Sequence, residues 1–235
     1  KILNELGDEI HKEVYHVTWN ADAAEKGGYE DFMLKEIHEQ PKAIKDTMTS
    51  RISLNHDIVL DKITITEETL NNIDRIYMVA CGTAYHATVV GKYVIEKLAR
   101  IPVEVDIASE FRYREPIITD RTLVIVVSQS GETADTLAVL RDSKKKGARV
   151  IAVTNVVGSS VSREAHDVLY TWAGPEIAVA STKAYVTQLI AMYIIALHFA
   201  SLKKSLSNEE IYAIKEEMLK LPTLAEEILK HKDVL

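Results

Sequence analysis

A chain of 235 residues has room for a substantial core, and its balance of 47% hydrophobic and 27% charged residues is that of an ordinary globular protein, not a disordered or fibrous one. A formal charge of −7, with the lysine triplet 144–146 as its one basic cluster, leaves no stripe for a nucleic acid. The single cysteine, Cys81, excludes an internal disulfide and suits a reducing, cytoplasmic compartment, and the eight histidines show no metal-ligand spacing, so no metal site is expected.

The chain opens at Lys1 within a helical pattern and closes at Leu235 just past another, so we expect a piece of a longer chain. Residues 14–19 alternate as a strand or connector, and 20–29, with Gly27-Gly28, read as a loop or short turn. An amphipathic helix over 29–39 must stop before Pro41, and a second over 41–52 accepts that proline in its first turn. Thr66 is the candidate cap of a short helix over 67–72. From Ile76 the pattern becomes regular: strands at 76–80, 103–107, 123–127, 149–154 and 168–172, with helices at 84–99, 133–146 and 159–165. Strands separated by helices predict an α/β fold, a doubly wound five-stranded parallel sheet flanked by helices, with additional N- and C-terminal helices. The apolar run 178–200 holds Lys183, Gln188 and His198 and is read as part of a buried helix over 181–204, not a membrane span. Pro222 is expected to split the remainder into helices over 208–220 and 223–232.

Chemistry concentrates where strands end. After the third strand comes Ser128-Gln129-Ser130-Gly131-Glu132-Thr133, a polar turn leading into a helix. Helix N-termini welcome anions, and three hydroxyls, an amide and a permissive glycine suit a phosphate cradle built without a cation. The plainer alternative is an ordinary strand–helix turn, and Glu132 and Asp135 weigh towards it, because they compete for the same helix end. After the first strand comes Cys81-Gly82-Thr83; if the two strands are neighbours, both turns open on one crevice. Neither matches a nucleotide fingerprint, which makes a phosphorylated sugar the natural ligand. A third stretch, 174–187, carries Ser181 or Thr182 as cap of the long helix and could reach the crevice near Val179. Cys81 is read as packed, not nucleophilic, and His86 as solvated or structural.

With those residues in hand, the chain resembles the sugar isomerase (SIS) domain family. More narrowly, it resembles the first of the two SIS domains in the glutamine–fructose-6-phosphate aminotransferase (isomerising) family. The supporting residues are the three stretches 81–83, 128–133 and 180–184, joined upstream by 24–29 and by Leu34-Lys35-Glu36-Ile37 with Gln40-Pro41. The resemblance implies that Ser128, Gln129, Ser130 and Thr133 hold a sugar phosphate. It further implies that Cys81, Gly82 and Thr83 line the sugar, with Val179 and Ser181 on the facing wall. Ala84 stands where many relatives carry a phosphate-touching serine. The implied ligands are fructose 6-phosphate and glucosamine 6-phosphate, in amino-sugar biosynthesis, with no metal or redox cofactor.

Implied domains are a connector with N-terminal helices (1–50) after a missing glutaminase domain, an SIS domain (51–205), and a helical linker (206–235) toward a missing second SIS domain. The acid/base and Schiff-base groups would belong to that second domain and the tail after it, so the chain alone is expected to bind without turnover, and Lys183 is expected to pack or form a salt link. Apolar helix faces in excess of what one sheet covers suggest a homodimer. Two alternatives remain: a stand-alone sugar-phosphate isomerase, and a non-enzymatic sugar-phosphate sensor. Residues 1–60 lack the basic helix-turn-helix expected of the sensor.

Overall fold

Short runs rich in Val and Ile make the strands β1 (Arg75–Ala80), β2 (Val103–Ile107), β3 (Thr122–Ser128), β4 (Arg149–Thr154) and β5 (Asp167–Tyr170). The computed structural model describes residues 2–11, 25–60 and 62–231; the strand or connector expected at 14–19 lies outside the described residues. All five strands pair in parallel, in the order β2-β1-β3-β4-β5. The helices in chain order are α1 (Phe32–His38), α2 (Gln40–Met48), α3 (Glu67–Asn71), α4 (Thr83–Leu98), α5 (Ala108–Tyr113), α6 (Ala134–Lys145), α7 (Ser160–Glu164), α8 (Lys183–Lys203) and α9 (Asn208–Lys230).

The sheet is buried on both faces, and period-two alternation sorts its side chains. Ile76, Met78, Leu123 and Ile125 join one cluster with residues of α4, α8, α2 and α9. Tyr77, Val79, Val124 and Val126 join another with Phe111 of α5 and with residues of α6 and α7. The doubly wound arrangement expected from the strand–helix alternation is therefore present. By length and composition α8 could cross a membrane, with a mean hydropathy of 1.6 in its most apolar window, but 61% of that window is buried in the fold. It is the central helix of the first face, packed on α4 and α2.

Several boundaries differ from the sequence expectation. Asp31 accepts the Leu34 N–H at 2.8 Å and starts α1 at Phe32, so residues 29–31 stay outside the helix. α2 stops at Met48, and Ser50 turns the chain with φ of +65°. β5 ends at Tyr170, since Trp172 at φ +51° breaks the extended run. The short α5 had no counterpart in the sequence pattern. α9 runs unbroken through Pro222, against the expected split. A helix-interior proline costs about 3 kcal/mol, and the packing of Met218, Ile214, Leu221 and Ala225 against the first-face cluster outweighs it. Thr66 caps α3 as expected, accepting the Thr69 N–H at 3.2 Å.

One buried ion pair fastens the β5 edge. Asp167, 1% exposed, takes two hydrogen bonds from Arg149 (2.7 and 3.0 Å) and two from the backbone and hydroxyl of Thr64 (2.7 and 2.9 Å). Burial pushes its carboxyl up, but the guanidinium and the Thr64 donors overcome that and hold it below the usual carboxylate range.

Candidate functional site

β1 and β3 lie side by side, with Ala80 opposite Val127. From β1 the chain turns into α4 on one face; from β3 it turns into α6 on the other. That divergence opens a crevice at the carboxyl edge of the sheet, the topological switch point where ligands of such sheets bind. Gly82 (φ +57°, ψ −135°) takes a backbone conformation open to glycine and starts α4 at once. Neither α4, 16 residues long, nor α6, 12 residues long, has a side-chain cap at its N-terminus. Two positive helix ends with unpaired N–H groups therefore meet at one cleft.

The cradle 128–133 is built from its own hydroxyls. Ser128 Oγ accepts the Gly131 N–H at 3.1 Å and lies 3.0 Å from Thr133 Oγ1, while Ser130 Oγ accepts the Glu132 N–H at 3.2 Å. The loop after β4 braces it from behind. Asn155 N–H donates to the Gln129 carbonyl at 3.1 Å, and Val161 N–H to the Gly131 carbonyl at 3.1 Å. The two carboxylates that argued against an anion are both directed elsewhere. Glu132 accepts the Ser160 N–H at 2.7 Å, capping α7, and its bonds to Ser160 hold its carboxyl below the usual range. Asp135 pairs with Arg112 at 3.3 Å.

The facing wall is the segment from Gly174 to Lys183. Here the capping expectation is corrected. Thr182 occupies the cap position of α8, yet its side chain makes no cap bond. Glu176 does the work instead: Oε1 accepts the N–H groups of Thr182 (2.9 Å) and Ala184 (3.0 Å), and Oε2 accepts the Ser181 hydroxyl (3.1 Å). Lys183 forms a buried salt bridge with Glu39, in keeping with the salt link expected for it.

These walls enclose a cleft of about 230 Å³, and every expected site residue except Gly82 lines it. Cys81, Thr83, Ser128, Gln129, Ser130 and Thr133 form one side. Val179, which is fully exposed, and Ser181 form the other. Gly82 acts one step back, by setting the turn. Ala84 also lines the cleft, presenting a methyl group where a serine would present a donor. His86 is exposed, lies against Tyr85 and is not part of the lining. Among the described residues, no Lys, Arg or His contributes to the lining, and no group of His, Cys, Asp or Glu gathers at metal-binding distance.

Sequence reasoning missed Glu176 and Gln188, both in the lining. Gln188, 3% exposed, lies in the second turn of α8, whereas Ser181 precedes that helix, so helical spacing from Ser181 gave no signal for it. Glu176 gave none either, because a carboxylate seven residues before a helix does not announce itself as its cap.

Comparisons with known proteins bear on the family and the fold. A family model described as SIS domain matches residues 69–198. The chain is 74% identical over 234 residues to the glutamine–fructose-6-phosphate aminotransferase (isomerizing) of Clostridium perfringens, a match that covers 100% of this chain and 38% of that relative. The chain thus spans under two-fifths of that relative's length. Among solved structures, the C-terminal domain of glucosamine-fructose-6-phosphate aminotransferase from Francisella tularensis superposes with a TM-score of 0.82 at 44% identity, over 88% of this chain and 58% of that one. A solved structure from Silicibacter pomeroyi, at 23% identity and a TM-score of 0.64 over 83% of this chain and 55% of that one, shares the fold.

Proposed function

Because the chain belongs to the SIS domain family, we propose that its β1/β3 cleft binds a phosphorylated hexose. In this reading the chain is the fructose-6-phosphate-binding half of the isomerase portion of a glutamine–fructose-6-phosphate aminotransferase. One observation carries the proposal: the hydroxyl-rich loop 128–133 stands at an uncapped helix end in a cleft that no Lys, Arg or His lines among the described residues. A dianionic phosphate is then met by Ser128, Ser130 and Thr133 hydroxyls, the Gln129 amide and first-turn N–H groups of α6. Each favourable helix end contributes about 0.3–1 kcal/mol when exposed and up to about 2 kcal/mol when partly buried. Such a site holds the sugar phosphate and still releases it.

Across the cleft, Thr83 with Cys81 and Gly82 addresses one side of the hexose, and the Val179 backbone with Ser181 addresses the other. Glu176 keeps an acceptor lone pair on Oε2 for a sugar hydroxyl. It is a poor general base, since both oxygens already hold α8 and Ser181. Turnover therefore needs groups from outside this chain. In the whole protein we assign them to a second SIS domain, with ammonia supplied by a glutaminase domain, in a cytoplasmic homodimer.

The test is calorimetric titration of the chain with fructose 6-phosphate and glucosamine 6-phosphate, repeated on Ser128→Ala and Thr133→Ala. Each variant loses a donor to a charged group, about 1.5–3 kcal/mol, or roughly ten- to a hundredfold in affinity. An absence of heat with the unmodified chain overturns the proposal. An NMR time course on the same samples separates binding from isomerisation; product formed by the chain alone would favour a stand-alone isomerase.

A further inference from the structure

The segment Leu34-Lys35-Glu36-Ile37 with Gln40-Pro41 lies outside the region matched by the SIS model. In the structure it reaches the cleft. Glu36 of α1 is 2% exposed, and its Oε1 accepts the N–H groups of Ile177 at 2.6 Å and Ala178 at 3.2 Å. Its Oε2 is buried with no partner among the described residues. Burying a carboxylate is costly unless its bonds repay it, and here those bonds go to one loop about 140 residues away in sequence. Three residues on, Glu39 takes the buried ammonium of Lys183 at the start of α8.

Two carboxylates of the α1 region thus hold both ends of the span 177–183. Between them, the peptide groups of Val179 and Ala180 make no hydrogen bond among the described residues, and Val179 lines the cleft. The phosphate cradle is braced by Asn155 and Val161 and not by Glu36, and Asn155 also joins it to the first residue of the wall, its side-chain amide donating to the Gly174 carbonyl at 2.6 Å.

We propose that Glu36 is a positioning residue for the sugar-facing wall, fixing residues 177–178 so that the Val179 backbone and the Ser181 hydroxyl meet the hexose. This deepens the sugar-phosphate reading of the cleft and rests on it. Because the cradle has its own braces, Glu36 governs affinity for the sugar end of the ligand and not for its phosphate.

The experiment uses the whole chain. Glu36→Ala, Glu36→Gln and the unmodified chain are titrated with fructose 6-phosphate and with inorganic phosphate, and amide hydrogen exchange is followed at Ile177 and Ala178. Loss of a charged acceptor predicts fructose 6-phosphate affinity about tenfold weaker in Glu36→Ala, inorganic phosphate affinity unchanged, and faster exchange at both amides. Glu36→Gln keeps an acceptor oxygen and recovers most of the affinity. If Glu36→Ala fails to fold, Glu36→Asp, which withdraws the carboxylate by one methylene, carries the same comparison. Unchanged fructose 6-phosphate affinity, or equal losses for both ligands, overturns the positioning role. If the unmodified chain binds phosphate but gains nothing from the sugar, the reading of the cleft falls instead, while the exchange rates still decide whether Glu36 clamps the wall.

Discussion

Gly131 is the tightest point of the cradle. Its φ is +67°, and a Cβ placed on it would meet Ser159 Oγ at 2.2 Å, Ser159 Cβ at 2.6 Å and Thr154 Oγ1 at 2.8 Å. Neither neighbour can swing away, since Ser159 is 3% and Thr154 1% exposed. Gly131→Ala therefore carries two costs: about 1–2 kcal/mol for a side chain in the left-handed region, and about 1–3 kcal/mol for overpacking. Together these make about 2–5 kcal/mol, or roughly 4–20 °C in Tm for a chain of this size.

Gly147 supplies the control. Its φ of +89° imposes the same backbone cost, but a Cβ there meets nothing nearer than Asp120 at 3.7 Å. Gly147→Ala should lose only the first increment, about 1–2 kcal/mol. Thermal unfolding by circular dichroism then ranks Gly131→Ala clearly below Gly147→Ala. Titration with fructose 6-phosphate shows weakened binding only for the former, because the displaced loop misplaces Ser128 and Thr133. Equal melting temperatures for the two variants, or full affinity in Gly131→Ala, would refute the close-approach argument.

Two further outcomes follow from the same geometry. Ala84→Ser adds a hydroxyl to the cleft lining beside the α4 N-terminus, and should tighten fructose 6-phosphate binding by about tenfold, from one added bond to a charged group; unchanged calorimetric affinity would show that the position does not reach the phosphate. Stability should fall in two stages on acidification. The His166 Nδ1 accepts the Val150 N–H at 3.0 Å, and burial, then Lys144 and Arg149, push its pKa down; burial does the same to His198. Both are favoured neutral in the fold, so their contribution is complete above about pH 6.5 and is lost as pH falls from there through their lowered folded values. Asp167, whose pKa is also lowered, keeps its contribution down to about pH 4 and loses it below. Urea unfolding from pH 8 to pH 3 follows both stages. His166→Asn and His198→Asn should flatten the first, and an unchanged slope in both variants would refute the assignment.

Much of the site was legible locally. A run of β-branched residues followed by Ser128-Gln129-Ser130-Gly131 is a strand feeding a turn whatever surrounds it, and Cys81-Gly82-Thr83 reads the same way. That the two turns share a cleft depended on β1 and β3 being neighbours, which the hydrophobic pattern allows but does not require. Pro222 was misjudged because local chemistry penalises a proline within a helix, while the packing of α9 on the first-face cluster, invisible in the pattern, outweighs the penalty.

Charge was the harder question. Glu132 and Asp135, read along the chain, belong to the same helix end as the cradle; in space they serve α7 and Arg112. The strands, their alternation with helices and the hydroxyls at the turn come from the order of residues alone, because each depends on neighbours within a few positions. Which helix ends stay open is decided only in three dimensions. Glu132 closes α7 and Glu176 closes α8, across 28 residues and across a loop, leaving the positive ends of α4 and α6 directed at the cleft. A carboxylate caps whichever N-terminus the fold carries to it, and that proximity is a property of the packed sheet.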